Sequence, residues 1–210
     1  MARKRMRSAP PIRLKRIPRW LRWSPILFAP LCLLNLAVAF LGNSVVFPLS
    51  PFYLHNKVAA LGRYALHRPI CLFKGHASVD AAVSQSEANH HLPHGLMAAV
   101  VQVESGGRVH RISFAGAMGP AQLLPGTARL LGVSDPFDPA ESIDGAGRYL
   151  ASQLATFHSV RLAVAAYNAG PGAITNHTVP QNGETENYVR KVMAAYSGLR
   201  HQAGSPLASR

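Results

Sequence analysis

The feature that most constrains the fold is an apolar run that ends in one carboxylate, Leu96–Glu104, followed at once by the breaker Ser-Gly-Gly. Met97, Val100 or Val101, and Glu104 fall on one face at helical spacing. We therefore expect a buried helix whose last turn carries Glu104. Burial and the negative end of the helix dipole both raise the pKa of such a carboxyl, which suits it to general acid catalysis. Taken alone, a solvated helix end would also explain this residue.

The rest of the second half predicts further helices separated by glycine- and proline-rich breakers. Pro93 is expected to open the helix that carries Glu104, and no alternating strand pattern of any length is present. The chain is therefore predicted to be mainly α-helical. A short helix is expected around Lys57–Leu66, and a second helix over Val79–Asn89, capped by Ser78 or Asp80. A short helix should run from Gly126 to near Gly132, and a longer one, capped by Asp138 or Ser142, should end near Phe157. The last two expected helices cover Val160–Tyr167 and residues 185–196.

The N-terminal quarter of the chain has a different composition. Nine Arg or Lys residues precede residue 23 without one acid, and an apolar stretch without charge follows. We predict a basic cytoplasmic leader over residues 1–24, a signal-anchor or transmembrane segment over 25–47 and a juxtamembrane connector over 48–77. The positive-inside rule then gives an inner-membrane protein with its catalytic domain in the periplasm.

Two alternatives for this N-terminal region follow from the same residues. Ala37-Val38-Ala39 has the small-x-small pattern of a cleavage site, so a cleaved signal peptide would leave a periplasmic or secreted protein. A basic leader can also bind nucleic acid, but anionic lipid headgroups explain it more simply, and no nucleic-acid partner is expected. Cys32 lies within the apolar segment and far from Cys71, so a structural disulfide is not expected.

Three histidines near residue 92 are candidates for metal ligands. His90, His91 and His94 flank Pro93, which interrupts any continuous helical face, and no matching carboxylate or cysteine cluster is near them in sequence. We interpret them as solvated residues at helix ends. No metal site and no organic cofactor are expected.

A series of short motifs runs through the second half of the chain. In order they are Glu104-Ser105, Ser113, Gly116-Ala117-x-Gly119 with Gln122 and Pro125, Thr127-Ala128, Gly132-Val133-x-Asp135-Pro-Phe-Asp-Pro139, Tyr149-Leu150, Ala166-Tyr167-Asn168-Ala-Gly170-Pro-Gly172, and Glu184-Thr185-x-x-Tyr188-Val189. Together, residues 92–196 resemble the catalytic domain of the soluble lytic transglycosylase family, which shares its fold with goose-type lysozyme. We place a lysozyme-like transglycosylase domain at 78–198 and a disordered tail at 199–210.

The resemblance implies an activity on peptidoglycan. The family cleaves the β-1,4 bond between N-acetylmuramic acid and N-acetylglucosamine and leaves a 1,6-anhydromuramyl end. Glu104 matches the family's single acid/base. Packing explains Ser113 and Tyr188 as well as a groove does, and Tyr149 is expected to pack. The residues that match the family's sugar groove are Ser113, Gln122, Tyr167, Asn168, Glu184 and Tyr188.

The acids after Glu104 fit a mechanism with one carboxylate. Ordinary glycosidases place two carboxylates on either side of the bond. Here Asp135, Asp138, Glu141 and Asp144 crowd into one turn and helix start, where capping explains them. None of these four is clearly offered as a nucleophile.

Several positions depart from the family's pattern. Gly107 stands where an aromatic is common and is expected to loosen the loop behind the catalytic glutamate, while Arg108 and Arg111 replace small or amide residues. Ala121 stands where methionine often lines the groove. One alternative is a lysozyme-like muramidase on the same fold that hydrolyses the same bond. The departures at Gly107 and Ala121 motivate a second, a weakly catalytic peptidoglycan-binding scaffold of an envelope-spanning assembly with an unknown partner.

Overall fold

The computed structural model describes residues 19–42, 51–74 and 78–203 of the 210-residue chain. Within these ranges the chain forms eight α-helices, and its only β-type pairing is two isolated antiparallel bridges within residues 112–123. The prediction of a mainly helical chain is therefore confirmed. The helices are α1 (Arg19–Gly42), α2 (Leu54–Lys74), α3 (Val79–Asn89), α4 (Leu96–Glu104), α5 (Pro125–Leu130), α6 (Pro139–Phe157), α7 (Val160–Ala169) and α8 (Glu184–Ala203), with a 3₁₀ turn at Pro171–Ala173.

Side-chain caps begin α3 and α6 where the sequence predicts them. Ser78 Oγ accepts the amide hydrogen of Ala81 at 3.1 Å, and Asp138 Oδ1 accepts that of Glu141 at 2.9 Å. Each cap satisfies one of the amide groups that a helix start leaves without a partner in the helix. Both helices therefore have the predicted bounds.

The first turn of α4 is capped by a residue of the preceding helix. The carboxylate of buried Glu87 accepts the amide hydrogens of Gly95 at 2.9 Å, Met97 at 2.9 Å and Ala98 at 3.3 Å. As a result α4 begins at Leu96, three residues after the proline that is expected to open it. No local motif encodes this cap, because Glu87 lies in α3.

The helices enclose a core around α4. Leu96, Met97, Ala99 and Val100 have no exposed surface. α4 packs against α8, α7 against α8, and α6 against both α3 and α7. This arrangement brings the end of α4 next to α8.

The contact between α3 and α6 is close. Ser86 Oγ donates to the carbonyl oxygen of Ile143 at 3.0 Å, and a Cβ added at Gly147 would lie 2.0 Å from Ser86 Oγ. Only glycine at position 147 allows this approach. The hydrogen bond fixes α3, and through it the carboxylate that caps α4.

α8 is longer than predicted. It continues to Ala203, so the prediction of a disordered tail from residue 199 is wrong for residues 199–203. Leu199 is half-buried against the core, and its Cβ would lie 3.4 Å from a Cβ added at Gly95. This apolar contact stabilises the last turns of the helix. Residues 204–210 lie outside the described residues.

α2 packs on the domain within the predicted connector, 48–77. The sequence predicts only a short helix there, whereas α2 has 21 residues and continues past Pro69. Lys57 is fully buried: its Nζ donates to Asn35 Oδ1 in α1 at 2.6 Å and lies 4.3 Å from the ring centroid of Phe114. Lys57 therefore links α1 to the loop that follows α4.

Within the described parts of the chain, no helix combines the length and the apolarity needed to cross a membrane. α1 begins at Arg19, inside the predicted leader 1–24. Residues 1–18 of that leader and 43–47 of the predicted signal-anchor lie outside the described residues.

Candidate active site

Glu104 is the last residue of α4, as the sequence predicts. The amide of Ser105 donates to the carbonyl oxygen of Val101 at 3.0 Å, and Gly106 and Gly107 follow with φ angles of 65° and 75°. These left-handed conformations favour glycine and end the helix. The chain therefore turns away directly behind the Glu104 side chain.

The surroundings of Glu104 bring the pKa of its carboxyl close to neutral pH. Burial raises its pKa to about 7, while a hydrogen bond from Tyr188 and the positive charge of Arg111 act in the opposite direction. The Tyr188 hydroxyl donates to Glu104 Oε1 at 2.7 Å. Because burial is the largest effect, the carboxyl can exchange a proton near neutral pH.

The Glu104 side chain lines a depression formed by the ends of three helices. α4 supplies one wall, the end of α7 a second, and the first turns of α8 the third. Glu184, Tyr188 and Lys191 are spaced four and three residues apart, so they share one face of α8. The residues lining the depression are Val103, Glu104, Asn168, Glu184, Asn187, Tyr188 and Lys191.

The structure thus brings together four of the seven residues predicted for the site: Glu104, Asn168, Glu184 and Tyr188. Asn168 and Glu184 are exposed, as groups that contact a ligand must be, whereas Tyr188 is 9% exposed. The buried hydroxyl of Tyr188 donates to Glu104. Their contact with a sugar stays a prediction.

Tyr167 lies beside this group without lining the depression. Its hydroxyl donates to the carbonyl oxygen of Ala121 at 2.9 Å, and its ring centroid is 5.7 Å from that of Tyr149. Burial and the nearby negative charge of Glu104 raise the pKa of the Tyr167 hydroxyl well above its usual value. Tyr167 therefore stays protonated and fastens α7 to the glycine-rich loop, 116–122.

Ser113 and Gln122 have local roles in that loop. Ser113 Oγ accepts the amide hydrogen of Ala117 at 3.0 Å. Gln122 Nε2 donates to the carbonyl oxygens of Gly119 at 2.8 Å and Arg111 at 3.3 Å. Neither residue is among those that line the depression, so their predicted contact with substrate stays a prediction.

The glycine-rich loop also packs closely against the turn before α6. Gly119 has a φ of 72°, and a Cβ added there would lie 1.8 Å from the carbonyl oxygen of Pro136. Both the backbone angle and the contact require glycine. The Gly-x-x-Gly part of the motif is therefore a packing requirement as well as a turn.

Two arginines near Glu104 have roles that sequence analysis missed. Arg108 Nε donates to the carbonyl oxygen of Ser105 at 2.8 Å and ties down the loop that Gly107 is expected to loosen. Arg111 places a positive charge near Glu104. Both stand out in the sequence as departures from the family pattern, but their proximity to the carboxyl does not. Lys191 was detectable from its spacing to Tyr188.

The crowded acids around the start of α6 act in local structure, and the capping prediction is confirmed for Asp138. Glu141 accepts the amide hydrogen of Asp135 at 3.0 Å, and Asp135 accepts an amide hydrogen in its own turn at 3.0 Å. Asp144 Oδ1 lies 2.8 Å from His90 Nε2. These carboxylates are engaged with the fold.

The three histidines near residue 92 have separate surroundings. His90 bonds Asp144, as above, and exposed His94 lies 3.2 Å from the Glu87 carboxylate. His91 is an exposed turn residue with a φ of 52°.

Comparison with known proteins places this chain in a family. Residues 81–189 match the model of the transglycosylase SLT domain. Over 111 residues the chain is 37% identical to the transglycosylase of Enterobacteria phage PRD1, which covers 53% of this chain and 40% of the relative. Over 95 residues it is 37% identical to membrane-bound lytic murein transglycosylase F 2 of Alkalilimnicola ehrlichii, covering 42% of this chain and 21% of the relative. The chain thus spans well under half the length of each relative.

A solved structure supports the fold. An inactive mutant of the lytic transglycosylase Slt from Pseudomonas aeruginosa superposes with a TM-score of 0.51, covering 74% of this chain and 32% of that one at 24% identity. The family model covers more than half of the chain and includes Glu104 and the lining residues up to Tyr188. The chain belongs to the transglycosylase SLT domain family.

Proposed function

We propose that this protein is a peptidoglycan lytic transglycosylase, a carbon–oxygen lyase that acts on the glycan strand. It cleaves the β-1,4 bond between N-acetylmuramic acid and N-acetylglucosamine and leaves a 1,6-anhydromuramyl end. The observation that carries the proposal is the half-buried carboxyl of Glu104, with its pKa raised to about 7, at the wall of an open depression. Family membership and the names of both relatives support the substrate class.

The first step uses Glu104 as an acid. The protonated carboxyl donates its proton to the glycosidic oxygen as the bond from that oxygen to C1 of the muramic acid breaks. The carboxylate that results is stabilised by the hydrogen bond from Tyr188 and by the charge of Arg111. Both groups therefore favour the state that proton donation creates.

The second step uses the same residue as a base. The carboxylate takes the proton of the sugar's own C6 hydroxyl while that oxygen bonds to C1, with help from the acetamido group of the substrate. No water is consumed, and Glu104 ends the cycle protonated. One carboxylate is sufficient for this sequence of events, and no cofactor takes part in it.

The depression offers polar groups for a sugar. Asn168 supplies an amide, Glu184 a carboxylate and Lys191 an ammonium group around Glu104. We assign Asn168, Glu184 and Tyr188 to the substrate site, with Tyr167, Gln122 and Ser113 shaping the adjoining groove. Ala121 has no exposed surface, so its side chain offers no apolar contact to an acetamido group.

Mass spectrometry of digested peptidoglycan tests the activity. The wild-type protein should release muropeptides with anhydromuramyl ends, and Glu104→Gln should lower the rate by about 10²- to 10⁴-fold. Glu186→Gln is the matched control, because Glu186 lies in the first turn of α8 but does not line the depression. This variant should keep the wild-type rate.

The other outcomes identify the alternatives. Reducing muramyl ends in place of anhydro ends would establish the muramidase and contradict the lyase. Glycan binding without any product, and without an effect of Glu104→Gln, would establish the scaffold.

We also propose that residues 25–47 attach the catalytic domain to the periplasmic face of the inner membrane, with residues 1–24 on the cytoplasmic side. The uncharged sequence supports this attachment, as does the exposure of Leu33 (67%) and Phe40 (87%) on α1. One relative is named as membrane-bound. Fractionation of cells with and without alkaline extraction tests this attachment: recovery of a shortened chain in the soluble periplasmic fraction would favour signal cleavage.

Purification with crosslinking tests for an envelope-assembly partner.

A further inference from the structure

Three metal-ligating side chains meet where α2 packs against the loop after α4. His67 and Cys71 are four residues apart in α2 and therefore share one face, and His110 lies in the loop. One ligand atom from each of the three lies within 4.8 Å of the others. The Nε2 atoms of His67 and His110 are 3.2 Å apart.

Asp135 orients the first of these ligands. His67 Nδ1 lies 2.7 Å from Asp135 Oδ2, and His67 is 3% exposed. An ionised carboxylate only accepts hydrogen bonds, so the proton of His67 lies on Nδ1 and its lone pair on Nε2. Asp135 is held in turn by the amide of Phe137, which donates to its Oδ1 at 3.0 Å. A carboxylate behind a histidine in this way is the usual outer support of a metal-binding imidazole.

The distances suit a tetrahedral ion. Zinc binds imidazole nitrogen at about 2.0–2.1 Å and thiolate sulfur at about 2.3 Å, so neighbouring ligand atoms lie roughly 3.3–3.6 Å apart. The two Nε2 atoms, 3.2 Å apart, are just short of this separation. The Cys71 sulfur lies within 4.8 Å of a ring nitrogen of each histidine and would move inward on binding.

A chain of hydrogen bonds from Asp135 through His67 to His110 is the simpler explanation of the two short distances. This hydrogen-bonded chain does not explain why the Cys71 thiol lies beside the two imidazoles. A metal ion accounts for all three ligands, since it takes the position of the proton between the two nitrogen atoms.

We propose that His67, Cys71 and His110 bind one Zn²⁺ ion, with Asp135 as a positioning residue and water in the fourth position. Two imidazoles and a thiolate are ligands of the softness that zinc prefers. On binding, the Cys71 thiol releases its proton to solvent. The thiolate and the Asp135 carboxylate together balance the charge of the ion.

The ion would join two parts of the chain. His67 and Cys71 belong to α2, whereas His110 and Asp135 belong to the catalytic domain. The ion would therefore fix α2 to the domain near the aromatic contact of His67 with Phe137, whose ring centroids are 5.8 Å apart. The sequence signal is the His-x-x-x-Cys spacing in α2, away from the histidines near residue 92.

Metal titration of the full-length, detergent-purified chain tests the site. After chelation, Co²⁺ should bind with one ion per chain and give a thiolate-to-cobalt charge-transfer absorption that Zn²⁺ removes. Cys71→Ser should abolish this absorption, while Cys32→Ser, which changes the other cysteine of the chain, should leave it unchanged. Asp135→Asn should lower the affinity by about 10- to 100-fold.

Thermal unfolding followed by circular dichroism is the second measurement. Zn²⁺ should raise the midpoint of the wild type and of Cys32→Ser but not that of Cys71→Ser, which preserves the size of the side chain. The proposal is wrong if the wild type takes up no Co²⁺ from excess metal, or if Cys71→Ser binds Co²⁺ with the same affinity and spectrum. The cluster is then a hydrogen-bonded contact only.

Discussion

Tyr188 donates its hydroxyl hydrogen to Glu104 Oε1 over 2.7 Å, although the two residues are 84 positions apart in the chain. The contact joins the end of α4 to the second turn of α8. It stabilises the ionised carboxyl in a place where burial disfavours it. The balance of these two effects sets the pH range in which Glu104 holds its proton.

Tyr188→Phe should therefore shift the pH dependence of the reaction. Glu104 must be protonated to act as the acid, so kcat/KM should fall as pH rises through about 7. Removing the hydroxyl removes a hydrogen bond to the charged form, which raises the pKa and moves the falling limb to higher pH. Tyr149→Phe is the control, because its hydroxyl contacts the carbonyl oxygen of Ala166 instead. A limb that stays in place in Tyr188→Phe would contradict this role.

Arg111→Met should move the same limb in the same direction. The positive charge of Arg111 lowers the pKa of Glu104, so its removal raises that pKa. Arg190→Met, at an exposed position of α8, changes the net charge equally and should leave the limb in place. The measurement is the pH profile of kcat/KM on purified peptidoglycan, and a shift of equal size in both variants would exclude a local effect.

Glu104→Gln should make stability less dependent on pH. The raised pKa, about 7 against 4.5, means that the native state binds more protons than the unfolded state between these pH values. The free energy of unfolding therefore falls as pH rises through this window, by at most about 3.4 kcal/mol. Glu104→Gln has no carboxyl to titrate, so its free energy of unfolding should not fall in this way. In urea unfolding, its stability relative to the wild type should increase between about pH 5 and about pH 8. A gain of the same size in Glu186→Gln would contradict the assignment.

Glu87→Ala should destabilise the domain by about 3 kcal/mol, because it leaves the amides of Gly95, Met97 and Ala98 without their acceptor. Asp80→Ala, an exposed acid of the same helix, should cost only about 0.5 kcal/mol. Urea unfolding measures both. Equal costs would mean that the cap contributes little.

Gly119→Ala and Gly183→Ala separate backbone strain from steric contact. Both glycines have nearly the same φ, 72° and 74°, so each substitution costs about 1–2 kcal/mol of backbone energy. A Cβ at position 119 also collides with the carbonyl oxygen of Pro136, whereas one at position 183 meets nothing within 4 Å. Gly119→Ala should therefore unfold at a much lower temperature. Equal melting temperatures would exclude the collision.

Features encoded within a few residues were predictable from the sequence. The bounds of α3 and the start of α6 follow from Ser78 and Asp138, and the end of α4 follows from Ser105 and the two glycines. The motif spacing indicated the family, which the match of residues 81–189 confirms. These are local rules, in which the residue and its effect are neighbours.

Features that depend on distant contacts were not predictable. Glu87 caps α4 from α3, and Leu199 extends α8 by packing near Gly95. α2 is stabilised by Lys57 and by the contacts of His67, whose partners lie in other parts of the chain. The spacing of residues within one segment carries no information on which residues of another segment they contact.

α4 is held at both ends by side chains of other helices, Glu87 at its start and Tyr188 at its finish. One residue inserted or deleted between Leu96 and Glu104 would turn the carboxyl by about 100° around the helix axis and move it by about 1.5 Å along it. Substitutions inside the helix leave this phase intact. The number of residues in α4 therefore determines where the Glu104 carboxyl lies. Homologous domains that keep both Glu87 and Tyr188 should have the same number of residues in this helix.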